Sequence, residues 1–358
     1  MDVSLRLGPR LDTRVVPDNP WMSFMEVEAR QVIATTAGSL GIDFAITEST
    51  EIQAAAIFGR QPMVLMTFGL ADAMCRLANV LVSAGIFVDF GDTEQSWSPN
   101  LENSVASVED QLRGEPFRWH RAYVPWMSDG ERQIVLAYLL VSMSRFVVLH
   151  EIGHIGYMHG RRTLGSTGML TAIVDGDGAD EAERRSAISS QAKEIAADGF
   201  AFNTHLRLQD AEFSGIDLEP MRQLLADKLT GTPRLRLRWT LLSAYLVFQL
   251  LDRRKWSIEM ARLATHPPAP FRIKCLYAAA LNLKRSDMSE DELVEEVSVA
   301  RMLGSAVVGV GLKRFPNLFW LDQVGGEAFN EMFMELYAEL HDWTVWGGKE
   351  IKTPAPDG

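Results

Sequence analysis

From Glu131 to about His159 the sequence reads as a single helix that is apolar on most of its faces. Such a helix cannot lie on a surface; it has to run through a core, with other elements covering it on several sides. The chain can supply that cover. Its 358 residues, 47% hydrophobic and 23% charged, are ordinary globular composition for one large domain or two small ones, and need no disulfide staples. Two apolar runs, Ile134 to Leu149 and Trp239 to Leu251, fall short of the about 20 residues that span a bilayer. The first is interrupted by Ser142, Ser144 and Arg145 and the second contains Gln249, so both read as buried core helices and no membrane span is expected.

Within that apolar helix stands Val147-Val148-Leu149-His150-Glu151-Ile152-Gly153-His154. Charged and polar groups are costly in such surroundings unless they serve a site. Residues four apart on a helix lie about 40° apart around the axis and one turn along it. His150 and His154 can therefore aim their imidazoles at one point, as a zinc ion requires. Glu151 is angled away from that point, beside water activated by the metal, which is the position of a general base.

Two histidines do not complete a catalytic zinc site, so a third protein ligand is needed. His159 comes one residue too early for the longer His-Glu-x-x-His-x-x-Gly-x-x-His pattern: position 160 is Gly, and Tyr157 stands where the pattern has glycine. On a continuing helix His159 points elsewhere. His205 lacks a supporting partner. Glu194, in Lys193-Glu194-Ile195-Ala196-Ala197-Asp198, is the better candidate, far enough beyond His154 for a connection and an antiparallel return helix. Asp198 lies one turn further on the same face, where it can accept a hydrogen bond from the outer ring nitrogen of a ligand histidine. Small Ala196 and Ala197 would let the two helices approach closely.

His150-Glu151-x-x-His154 followed by Glu194-x-x-Ala-Asp198 resembles the gluzincin zinc metallopeptidases. Thr265-His266-Pro267-Pro268-Ala269-Pro270-Phe271-Arg272-Ile273 is similar to the segment that follows the glutamate helix in the M48-type peptidases. Gln53-Ala54-Ala55-Ala56-Ile57 through Val64-Leu65-Met66-Thr67-Phe68-Gly69-Leu70 looks like their strand pair ahead of the active-site helix. The four segments occur in the same order and cover about residues 50 to 275; without clear membrane helices, a soluble relative such as the bacterial Lit-like (U49) peptidases, implicated in phage exclusion, fits better. The resemblance implies a zincin-like fold and assigns His150, His154 and Glu194 as metal ligands. It further implies an edge strand near residues 52–57 along which extended substrate aligns, with Gln53, Ala54, Ala55 and Arg272 on the substrate side and His266 stabilising the oxyanion; a cap of the Thr-His-Pro-Pro turn for His266 and an ion pair with an acidic neighbour for Arg272 are the alternatives.

Around these segments the chain reads as helical over 23–41 with a glycine stop, and over 70–84, 189–208, 216–229, 235–254, 288–303 and 326–341. Residues 86–130, with Trp97, Trp119 and Trp126, read as an irregular connection, and 160–187 as a glycine-rich acidic loop, a candidate lid or self-cleavage segment. Asp175, Asp177 and Asp180 invite a calcium reading, but the sixth and twelfth places of such a loop hold Asp180 and Ser186 instead of glycine and glutamate. Residues 349–358 read as a disordered tail.

The expected architecture is a mainly α-helical α+β chain. It comprises an N-terminal part with a small sheet (1–130), a helical zinc-binding part (131–280) and a helical C-terminal extension (281–358). A formal net charge of −12 would repel a phosphate backbone, so nucleic acid is a poor partner. No signal peptide is read at the N-terminus, and Cys75 and Cys275 sit in apolar stretches as reduced, buried thiols, which suits the cytoplasm. The expected activity is zinc-dependent cleavage of a peptide bond in a specific intracellular protein, in stress or phage defence. A silent zinc-binding protein and a hydrolase of a non-peptide amide are the rival classes.

Overall fold

A computed structural model describes residues 9–13, 20–83, 85, 87, 129–160, 181–212, 226–252, 255–283, 285–311, 318–346 and 349–350. The expectations for 88–128, for the acidic loop over 161–180 with Asp175, Asp177 and Asp180, for the 216–225 part of the helix read over 216–229 and for the tail beyond 350 lie outside that set, while 181–187, expected in the loop, are helical.

The chain is a mainly helical α+β fold. Helix α1 (Pro20–Ala37) passes through a short 3-10 turn to Gly41, which takes the left-handed conformation (φ 61°) that glycine adopts without a Cβ clash. Strand β1 (Asp43–Thr47) follows, then β2 (Ala54–Ile57) and β3 (Met63–Thr67). The strand pair read from the sequence, β2–β3, is antiparallel with Ala54 opposite Met66; β1 runs parallel to β3 on its other side, so the order is β1-β3-β2. The β1 strand carries no alternating pattern, since four of its five residues are buried, and period-two reasoning passes over it.

Helix α2 (Phe68–Ser83) starts directly from β3. At that junction Thr67 Oγ1 accepts from Gln53 N (3.1 Å) and Leu70 N (3.2 Å), and the Gly69 N–H donates to Ser49 O (3.0 Å). A Cβ on Gly69 would lie 2.1 Å from Thr50 O, so only glycine permits this approach.

Helix α3 (Gly130–Gly156) is the expected core helix, capped by the Asp129 carboxylate, which accepts from Glu131 N and Arg132 N. Among the described residues it alone is long and apolar enough to cross a membrane, and 72% of that window is buried inside the fold. Helix α4 (Glu181–Glu212) returns beside it. Gly153 faces Ala197 and Ser142 faces His205, so the two run antiparallel. Helix α5 (Pro233–Leu251), capped by Thr232, packs on α3 and α4. Then come α6 (Ile258–Leu263), α7 (Ala269–Leu281), α8 (Glu290–Gly311), α9 (Leu318–Asp322) and α10 (Glu327–Trp343).

One apolar cluster takes Met22 and Val64 from the N-terminal part, Leu149 and Leu246 from the central helices, and Ala300 and Leu321 from the C-terminal extension. The three stretches therefore build one core. A second cluster seats α10 on α4, α6 and α7 through Ala192, Phe271, Phe329, Met332 and Leu336. Lys349 and Glu350, expected in the tail, form β5 (Lys349–Glu350), paired antiparallel with β4 (Val345–Trp346). Cys75 and Cys275 are both buried thiols, with no disulfide between them.

Candidate metal centre

The helical offset does what the spacing predicts. His150 Nε2 and His154 Nε2 lie 3.1 Å apart on one face of α3. Helix α4 brings the Glu194 carboxylate across, Oε2 at 3.3 Å from His150 Nε2 and Oε1 at 3.2 Å from His154 Nε2. The helices can come this close because Gly153 meets Ala197: a Cβ at 153 would sit 3.1 Å from Ala197 Cα and 3.3 Å from Phe200 Cδ1. These three buried donors form a group that can hold a metal ion. A tetrahedral ion with bonds of about 2.0–2.1 Å spaces its donors by about 3.3–3.4 Å. Here the two imidazole nitrogens are 3.1 Å apart, and each lies 3.2–3.3 Å from one of the two Glu194 oxygens, a spacing close to that of such an ion.

Each histidine is oriented from behind. His150 Nδ1 lies 2.9 Å from Asp198 Oδ1, the support expected from the sequence. Asp198 is fully buried and is held in turn by Arg272, whose Nε and a terminal nitrogen donate to its two oxygens at 2.8 and 2.6 Å. The guanidinium carbon sits 4.6 Å over the Phe248 ring. Arg272, read as a substrate-side residue, is buried here and donates to Asp198, with a terminal nitrogen also 3.5 Å from Glu194 Oε2. Burial alone would raise the Asp198 pKa, but Arg272 and His150 outweigh it and hold the carboxylate ionised. Asp198→Ala would remove the nearer of the two carboxylates that hold the buried Arg272, leaving Glu194 Oε2 at 3.5 Å, and removing one partner of a buried pair costs about 3–5 kcal/mol. Urea unfolding measures this; a loss below about 1 kcal/mol would show that water already reaches the pair.

His154 is supported by a residue whose role the sequence concealed. After Gly156 the helix stops, Met158 adopts a left-handed conformation (φ 57°), and the chain folds back. This returns His159 to the site, its Nδ1 2.8 Å from His154 Nδ1 and its Nε2 2.9 Å from the Trp343 carbonyl oxygen at the end of α10. His159 is thus no ligand, and the reason expected was wrong: the helix does not continue. Burial lowers its pKa to about 2, keeping it neutral. Lys193 lies 4.4 Å over the Trp343 ring. Only the proximity of His159 to the motif could have signalled its part, and nothing in the sequence signals Trp343.

Glu151 is buried, and neither carboxylate oxygen has a hydrogen-bond partner. Burial raises its pKa, against the nearby His150 and His154, which lower it. His266 Nε2 stands 3.6 Å from Glu194 Oε1, at the centre's edge, with Thr265 Oγ1 3.0 Å from its Nδ1. Burial lowers the His266 pKa. Its segment is pinned by Gln191, which donates to Ala261 O and Ala264 O. His205 is remote from the group. It lies within hydrogen-bond distance of Ser142 Oγ (3.3 Å) and Gln209 Nε2 (3.2 Å) in the α3–α4 core, and burial lowers its pKa to about 3.

Strand β2 forms one edge of the sheet and packs against α3. Phe58, just beyond it, fills the space over Gly160, where a Cβ would lie 2.3 Å from its ring. Ala54 and Ala55 are buried, and the Gln53 side chain donates to Glu51 Oε2 (2.7 Å).

Without a metal, His150 is pushed up to about 9: burial lowers its pKa, but Asp198 and Glu194 more than offset this. At pH 7 it carries a proton that a metal must displace. Metal uptake should release about one proton, and affinity should rise about tenfold per pH unit from 7 towards 9. Calorimetry in buffers of different ionisation enthalpy checks this, and uptake without proton release would show His150 already neutral.

Comparison of the chain with protein-family models, curated proteins and solved structures gave no match in any of the three. The assignment of the centre stands on these residues themselves.

Proposed function

We propose that this protein is a zinc peptidase of gluzincin type, cleaving one or a few proteins in the cytoplasm. The observation that supports this best is the buried His150–His154–Glu194 triangle with the unpartnered Glu151 carboxylate next to it in the helix. Two imidazoles and one carboxylate are the donor set of a catalytic zinc with one open position. Zinc held there supplies Lewis-acid polarisation of a carbonyl and makes water acidic.

The chain's own groups supply the rest. Glu151 accepts the proton of the attacking water and delivers it to the leaving amine; a carboxylate whose pKa is raised by burial suits both halves of that transfer. His266, beside Glu194, is placed to donate to the developing oxyanion. Asp198, held by Arg272, keeps His150 fixed. An extended substrate aligns along β2, an end strand of the sheet among the described residues. The zincin likeness of the fold belongs to the same proposal.

Adding wild-type or Glu151→Gln protein to cell lysate and comparing new peptide N-termini by mass spectrometry tests the activity. Termini made only by wild type identify the substrate. Identical sets would mean that the centre holds metal without peptide hydrolysis.

A further inference from the structure

We infer that His159, anchored on the Trp343 carbonyl, is a positioning residue that sets which ring nitrogen His154 presents to the metal centre, tying the C-terminal helix α10 to that centre. The inference rests on the metal-centre reading above.

The chemistry follows from two contacts. The Trp343 carbonyl oxygen only accepts, so the proton between it and His159, 2.9 Å away, belongs to His159 Nε2. A neutral imidazole protonated there has a lone pair on Nδ1. That atom lies 2.8 Å from His154 Nδ1, a distance that holds one proton between the two nitrogens, so His154 must donate it. The lone pair of His154 is then left on Nε2, the atom facing His150 and Glu194. With the opposite tautomer in His159, His154 would carry its proton on Nε2 and could not bind a metal. A backbone carbonyl on the last residue of α10 thereby decides the tautomer of a ligand on α3.

The arrangement is built for this. The left-handed turn at Met158 is costly for a residue with a side chain. It brings His159 back over the helix end, where His159 N also donates to His154 O at 3.0 Å. The Trp343 ring stands edge-on to the His159 ring, 5.8 Å between centroids, and the Lys193 ammonium covers its face. The two ligand histidines are supported differently: His150 by a carboxylate, His154 by a neutral ring.

Three substitutions in the full-length chain separate positioning from packing. Asn at 159 places a carbonyl oxygen near the former Nδ1 and keeps the acceptor for His154. Gln reaches the former Nε2 position and keeps the link to Trp343 but loses that acceptor, and Leu loses both. Cobalt(II) is the probe, followed by its visible d–d absorption in competition with a chelator. Loss of a partner behind a ligand histidine weakens metal binding by about 10–100-fold. That loss and an altered cobalt spectrum are expected for His159→Leu and His159→Gln, with His159→Asn close to wild type. Wild-type affinity and spectrum in a folded His159→Leu would overturn the inference while leaving the metal centre standing. If no variant folds, the wild type alone decides. Long-range proton–nitrogen NMR of the zinc-loaded protein should show His154 protonated on Nδ1 and His159 on Nε2, and the reverse overturns the inference. Wild type that takes up no cobalt would overturn the centre itself, and the inference with it.

Discussion

Glu151→Gln is expected to retain the metal and to lose hydrolysis by about 10²–10⁴-fold, the range that general acid–base groups contribute. The substitution keeps shape and removes only the carboxylate's ability to take and return a proton. It touches none of the three donors, His150, His154 and Glu194. It should not destabilise the fold, because neither Glu151 oxygen makes a hydrogen bond that would be lost, and a buried ionisable group is exchanged for a neutral one. Metal content by atomic emission, a urea titration and the rate on the identified substrate form the test. Full metal with the wild-type rate would end the proposed mechanism.

Glu194→Ala should abolish tight metal binding, a larger loss than the about 10–100-fold expected for changes behind the ligands. Glu194 stands within 3.3 Å of both ligand nitrogens, and its pKa is held well below the usual carboxylate range: burial opposes this, but His266, His154 and His150 outweigh it. Without it two imidazoles remain, too few for a catalytic zinc. His205→Gln is the matched control. His205 was the other candidate further along α4, yet it lies with Ser142 and Gln209 in the helix core, so its loss should leave metal affinity unchanged. Unchanged affinity in Glu194→Ala, or loss in His205→Gln, would reassign the third ligand.

Much of the fold was legible where one face pattern persists over many residues. The β2–β3 pair, α1, α2, α3, α5, α8 and α10 all fall where periodicity and glycine stops place them. The short elements were not legible. With four of its five residues buried, β1 shows no period, and the six residues of α6 are too few to show one. For Arg272 the sequence left open substrate contact or a pair with an acidic neighbour; the structure shows the pair, with Asp198, because a sequence shows an arginine near a site but not which carboxylate it meets.

By itself the sequence determined His150, Glu151 and His154 as a unit. Their mutual placement is a property of one helix, set by about 3.6 residues per turn and independent of anything distant. It also narrowed the third donor to a small set, with Glu194 and Asp198 the better-placed pair. Only the tertiary structure decided the choice, through the close antiparallel contact at Gly153 and Ala197 that carries Glu194 to the histidines and leaves His205 in the core. Only it showed that α3 ends in time for His159 to turn back, and that a carbonyl 184 residues further along the chain anchors it. Hydrogen bonds between such distant groups depend on how whole helices dock, and a local pattern carries no record of docking.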